Sequence, residues 1–405
     1  MQLLKTTSFF HINKCSRKIL QSLSFDGMIL LFTITFFLLL YAVLIFFYWY
    51  HWLQTKSFKA TTKPSINISV VIAARNEERN LPILLKALQD QTYPMHLFEV
   101  IVVDDYSNDN TREVIKPFLS ERVKLIHSNT AKETSSKKKA IETGVRSATG
   151  ELIVTTDADC IVPGTWLATI AAYYQTTNTS FIAAPVQFIY NNSLLQILQA
   201  MDFIVLQGIT ASAVSSHFHT MANGANLAYT RQSFMNANGF EGIDNVASGD
   251  DLLLMQKLWQ KDKHAVTYLK SNEAIVTTQP MLTWKAFINQ RKRWASKSTA
   301  YTDGKLKAVL VFVYSFNLLF FVLLVAALIN ATYWQLVLFY LVGKTAIELP
   351  FVASVAKFYK EQKLLKYFIF LQPIHIIYTI IIGAISQFGN YEKDDKQNKL
   401  SFLHE

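Results

Sequence analysis

Leu152-Ile153-Val154-Thr155-Thr156-Asp157-Ala158-Asp159 is the stretch on which the reading turns: four residues suited to a buried strand run straight into two carboxylates two positions apart. Like charges that close repel unless something neutralises them. A hard divalent cation does so, binding carboxylate oxygens together with those of a diphosphate. Upstream, Ile68 to Ala73 and Glu99 to Val103 are β-branched runs that also end in polar residues, and each is followed by a helical pattern. Strands alternating with helices predict an α/β fold with a mostly parallel sheet, in which ligands bind at the carboxyl ends of the strands. The first of those ends carries Ala73, Ala74, Arg75, Asn76, Glu77 and Glu78, where the arginine face suits a base. The second carries Asp104, Asp105, Ser107 and Asp109, whose oxygens suit a ribose or base, or else turn the chain and cap the next helix.

Around this core the chain is apolar. Of 405 residues 51% are hydrophobic and 17% charged, so part of it belongs in lipid. The expected organisation is a basic segment (1–27), a transmembrane helix (28–50), a domain at 53–307 that includes interfacial helices, three more transmembrane helices (308–330, 332–355, 367–388) and a polar tail (389–405). Leu194 to Val214 is apolar too, but Asp202 and its glutamines favour an interfacial helix over a fifth span. The net charge of +10 gathers beside the spans, which points to a bilayer and not to nucleic acid. Lys56, Lys59 and Lys63, the run from Lys285 to Lys307, and Lys357 to Lys366 fall on one side, which the positive-inside rule makes cytosolic; Lys14, Arg17 and Lys18 disagree. Cys15 and Cys160 are too far apart in sequence for a metal motif or a disulfide framework. Lys344 and Glu348, four apart within a span, are expected to pair, and His375 to pack.

Ser69 to Glu77, Val103-Asp104-Asp105-Tyr106-Ser107, Lys139-Ala140, Ala148-Thr149-Gly150-Glu151 and Asp157-Ala158-Asp159, in that order, resemble the family-2 glycosyltransferases of GT-A fold, over about Lys63 to Thr299. Ser248-Gly249-Asp250-Asp251 resembles the element that carries that family's general base. Gln290-Arg291-Lys292-Arg293-Trp294 matches its Gln-x-x-Arg-Trp signature, found in processive polysaccharide synthases. Two positions depart: Ala73 stands where many relatives have proline, and Asp250 where glutamate is commoner.

The resemblance implies donor and nucleotide binding by Ala73, Arg75, Glu77, Asp105, Lys139 and Asp157, and Mg2+ or Mn2+ held by Asp157 and Asp159. It implies Asp251 as catalytic base, and Gln290, Arg293, Trp294 and Asp250 at the acceptor and diphosphate. The implied partners are a nucleotide-sugar donor, a glycan or lipid acceptor and the bilayer. The implied place is a multi-pass protein of the bacterial inner or plasma membrane with a cytosolic catalytic domain. Bland readings stand beside these: Asp250 and Asp251 suit a helix N-terminus, and Trp284 and Trp294 suit a basic interfacial helix. A transporter using Lys344, Glu348 and His375 would leave the ordered motifs unused, whereas a nucleotide-binding scaffold without turnover is separated from a transferase by substituting Asp251 with asparagine. No Gly-x-Gly-x-x-Gly follows the first strand, which argues against a dinucleotide dehydrogenase.

Overall fold

The computed structural model describes residues 25–128, 136–244 and 249–386; the expected basic segment, apart from its last residues, the polar tail and Ser248 lie outside them. In chain order come α1 (Phe25–Gln54), β1 (Ile68–Ala74), α2 (Leu81–Gln89), β2 (Phe98–Asp104), β3 (Val123–His127), α3 (Lys137–Ser147), β4 (Leu152–Thr155), α4 (Trp166–Thr177), β5 (Phe181–Ala183) and β6 (Val186–Phe188). There follow α5 (Leu194–Ser215), β7 (Leu227–Thr230), α6 (Leu252–Lys261), β8 (Val266–Tyr268), β9 (Val276–Thr278), α7 (Trp284–Ser296), α8 (Gly304–Ile329), α9 (Trp334–Phe358) and α10 (Leu365–Ile385).

The main sheet runs β3-β2-β1-β4-β7-β5-β8. β3, β2, β1 and β4 are mutually parallel, whereas β7 lies antiparallel between β4 and β5. β6 and β9 form a separate parallel pair. β2 is buried along its whole length, as expected of a parallel strand covered on both faces. The covering on one face is close: a Cβ added to Gly144 of α3 would lie 2.4 Å from Val71 Cγ1. Glu99 ties the strand starts together, accepting from Ser69 Oγ (2.7 Å), Thr149 N (2.7 Å), Thr149 Oγ1 (2.6 Å) and Lys124 Nζ (2.9 Å). Although burial pushes its carboxyl up, these donors hold it down to about 2.

Among the described residues five helices, α1, α5, α8, α9 and α10, are long and apolar enough to cross a membrane. α5 differs from the rest, being buried over most of its length. Its Ser212 Oγ donates to the Tyr48 carbonyl of α1 (2.8 Å). The end of α1 is docked on the domain by Lys270, which donates to the carbonyls of Trp52 (2.7 Å) and Thr55 (3.0 Å). The turn between α9 and α10 is docked as well, Tyr190 OH donating to Glu361 (2.5 Å) and Asn272 to the Phe358 carbonyl (2.6 Å). The uncharged turn at 330–333 lies about 39 Å away along α8, at 1.5 Å per residue for 26 residues. The basic connections at 56–63 and 357–366 thus share the domain's side of the bundle.

Inside the bundle, Lys344 does pair with Glu348, but not alone: Tyr41 and Gln372 also donate to that carboxylate, and Lys344 donates to Gln372 Oε1 (2.9 Å). The network joins α1, α9 and α10. His375 does more than pack, for its Nε2 stands 3.4 Å from Asp202 Oδ1.

Candidate active site

The loops after β1 and β2 are knitted to each other. Asn76 and Tyr106, both with positive φ (55° and 60°), turn the chain out of the strands. Asn76 N donates to Ser107 Oγ (3.0 Å), Asn108 N to Asn76 Oδ1 (2.8 Å) and Glu78 N to Asp109 Oδ2 (3.1 Å). Ser107 and Asp109 are thereby occupied in shaping the turn. Asp104 is buried against Arg112, 2.8 Å away. Asp105 is buried too, 4.0 Å from the half-exposed guanidinium of Arg75. Ala73 pairs with Val103 across the strands, and Glu77 accepts from Asn80 Nδ2 (2.9 Å) at the start of α2.

The third strand end delivers Asp157 and Asp159. Their carboxylate oxygens and the Cys160 thiol lie within 4.8 Å of one another, a group that sequence spacing alone had not joined to the cysteine. The two carboxylates fit a hard divalent cation by donor type. Positive charge already meets them from α3: Lys137 Nζ lies 2.6 Å from Asp157 Oδ1 and 2.8 Å from Asp250 Oδ2. Burial would lower this lysine, but the two acids hold it well above its usual value. Successive helical residues point about 100° apart, so the run of three lysines separates. Lys138 turns inward and donates to the Ile243 carbonyl (2.6 Å), and Lys139, half-buried, gives its backbone N–H to the Ser136 cap (3.4 Å). The lysine brought to the acids is Lys137, where the family pattern pointed to Lys139.

Asp251 caps α6, its Oδ1 accepting from Leu252 N (2.7 Å) and its Oδ2 from Gly224 N (3.1 Å). Lys297 Nζ lies 3.9 Å from Oδ1. Burial raises the carboxyl, yet Lys297, the two N–H groups and Lys137 leave it below the ordinary aspartate value. Capping and availability as a base therefore coexist. Gly224 allows the close approach: a Cβ there would lie 3.1 Å from both Asp250 Oδ2 and Lys137 Nζ. Neighbouring Asn226 is wholly occupied in structure, bridging the carbonyls of Pro185 and Ala274 and accepting from Trp166.

On α7, Trp284 is exposed, whereas Trp294 is half-buried with its ring 6.3 Å from that of Phe203. Gln290 is buried, its Oε1 unpartnered among the described residues, and Arg293 is half-buried. The cation that contacts Trp294 is Arg291, 4.5 Å from the ring, with its Nη2 2.7 Å from Asp202 Oδ2. Lys297 and Asp202 lie outside every motif, and only contact with Asp251 and Arg291 reveals them.

Two family models match the chain, glycosyl transferase family 2 over residues 69–234 and glycosyl transferase family group 2 over 152–351. Glycosyltransferase AglE of Haloferax volcanii is 30% identical over 127 residues, 31% of this chain and 41% of its own length. The probable glycosyltransferase YdaM of Bacillus subtilis is 25% identical over 244 residues, 56% of this chain and 54% of its own. The matches thus span about half the length of these relatives. Mannosyltransferase PcManGT from Pyrobaculum calidifontis, solved in complex with GDP-Man and Mn2+, superposes with a TM-score of 0.54 at 18% identity, over 89% of this chain and 97% of that one. The fold is GT-A.

Proposed function

The chain carries a domain of glycosyl transferase family 2, and from that premise we propose that it moves a sugar from a nucleotide-diphosphate donor to a hydroxyl-bearing acceptor at a membrane. The observation that carries the reading is Asp251, a carboxylate held in its charged form beside the cluster of Asp157, Asp250 and Lys137. Arg75 and Asp105 border the nucleotide, and Lys137 meets the diphosphate. A cation such as Mg2+ or Mn2+, held by Asp157 and Asp159, would neutralise the diphosphate and make it a better leaving group. The acceptor oxygen attacks the anomeric carbon from the face opposite the departing oxygen, its proton passes to Asp251, and the configuration inverts. Trp294 offers an aromatic face to the acceptor, steadied by Arg291. The flanking lysines support a multi-pass protein with this domain in the cytosol.

Asp251→Asn tests the reading: transfer, followed as released nucleotide diphosphate, should fall by about 10²–10⁴-fold while nucleotide binding stays unchanged. Undiminished transfer would overturn it. A processive synthase is the second reading, favoured by Gln290 to Trp294; product length separates the two.

A further inference from the structure

Between α1, α5, α7, α8, α9 and α10 lies a cavity of about 1100 Å³, at or above the upper end of ordinary ligand pockets, roughly 300–1,000 Å³. Its domain end is lined by Leu252, Trp294, Ser298, Thr299 and Tyr301. Leu252 is the residue whose N–H is held by Asp251, so this end abuts the base. From there the walls pass into the bundle as Leu206, Ile209, Val313 and Val352. At its edge stand Leu310 and Val311, 42% and 66% exposed, so the space opens sideways among the spans.

We infer that this cavity is the binding site for the apolar tail of a lipid acceptor, entering from the bilayer and placing its nucleophilic oxygen at Asp251. This deepens, and rests on, the transferase reading. Three observations converge. The wall is mostly hydrocarbon, which suits an acyl or isoprenoid chain but would strip water from a glycan without replacing its hydrogen bonds. The cavity reaches Leu252, which follows the catalytic residue in the chain and donates to its carboxylate, so one amphiphile can span both. Where apolar wall meets polar mouth stands Arg291, 6% exposed, whose Nε has no hydrogen-bond partner among the described residues. A buried unpartnered donor at that boundary suits an oxygen of the lipid head.

The test uses the full-length protein in nanodiscs doped with one of two probes, a diacylglycerol or a polyprenyl-diphosphate-linked sugar, each with a free hydroxyl and a photoactivatable group on its tail. Cross-links should map to Leu206, Ile209, Val313 or Val352 and be competed away by the unlabelled form of at least one probe; which probe is competed identifies the head. Leu206→Trp and Ile209→Trp should each lower that labelling by roughly tenfold, while quenching by added UDP or GDP reports unchanged nucleotide binding. Labelling confined to outward residues such as Leu338 and Phe370, and competed by neither lipid, overturns the inference. Absence of nucleotide binding in the unaltered protein would instead strike the transferase reading, leaving the cross-link map to be judged by itself.

Discussion

Asp251 ends one helix cap and begins one catalytic step, and its surroundings set the pH at which it serves. Its carboxyl lies below the ordinary aspartate value, so the base is present above that value and lost as the pH falls through its lowered one. The acid limb of kcat/KM should therefore lie below the usual aspartate range, with no loss assignable to this group between neutral pH and 5. Lys297→Ala removes the nearest cation and should move the limb upward, as a pH–rate profile would record. The lysine run makes a second prediction. A lysine beside a diphosphate acts as a point charge, so Lys137→Ala should weaken nucleotide-sugar binding about tenfold, about 1.4 kcal/mol. Lys139→Ala should change it less than about twofold by the same titration. The motif pattern pointed to the basic run, but which lysine meets the acids depends on the rotation of α3 against the sheet.

Among elements, the starts of β1, β2 and β4 are held by one carboxylate. Thr149 and Gly150 belong to a stretch on which the family resemblance rests, and in the fold Thr149 donates twice to Glu99 and Gly150 N donates to Ser69 Oγ (2.8 Å). With Glu99 at about 2 in the fold and 4.5 ordinarily, its stabilisation is complete above 4.5 and lost as the pH falls toward 2. Glu99→Gln should thus lower the melting temperature of the full chain in detergent most near neutral pH, with the gap to the unaltered protein narrowing as the pH falls from 4.5 toward 2. Strands and their carboxyl ends were legible because β-branched runs and terminal acids are local features. The antiparallel insertion of β7 was not, since its few residues pair with β4 and β5 from far along the chain.

For the whole molecule, one join between domain and bundle is a polar cluster of buried Asp202 and Arg291 with half-buried His375, drawn from α5, α7 and α10. Removing one member of a buried ion pair leaves an uncompensated charge, at about 3–5 kcal/mol. Asp202→Ala should lower the denaturation temperature in detergent, and Asp202→Leu with Arg291→Met should recover most of the loss. A double-mutant comparison of melting curves checks both. By itself the sequence determined the apolar spans, the succession of strands and helices, the acids at the strand ends and the resemblance to family-2 transferases, because each rests on local composition or short spacing. Only the tertiary structure decided that α5 is buried between domain and bundle, that Lys137 bridges Asp157 and Asp250, that Arg291 pairs with Asp202, and that an apolar cavity reaches Leu252 beside Asp251. Those facts depend on helix rotation and on contacts between residues tens to hundreds of positions apart, which no local pattern encodes.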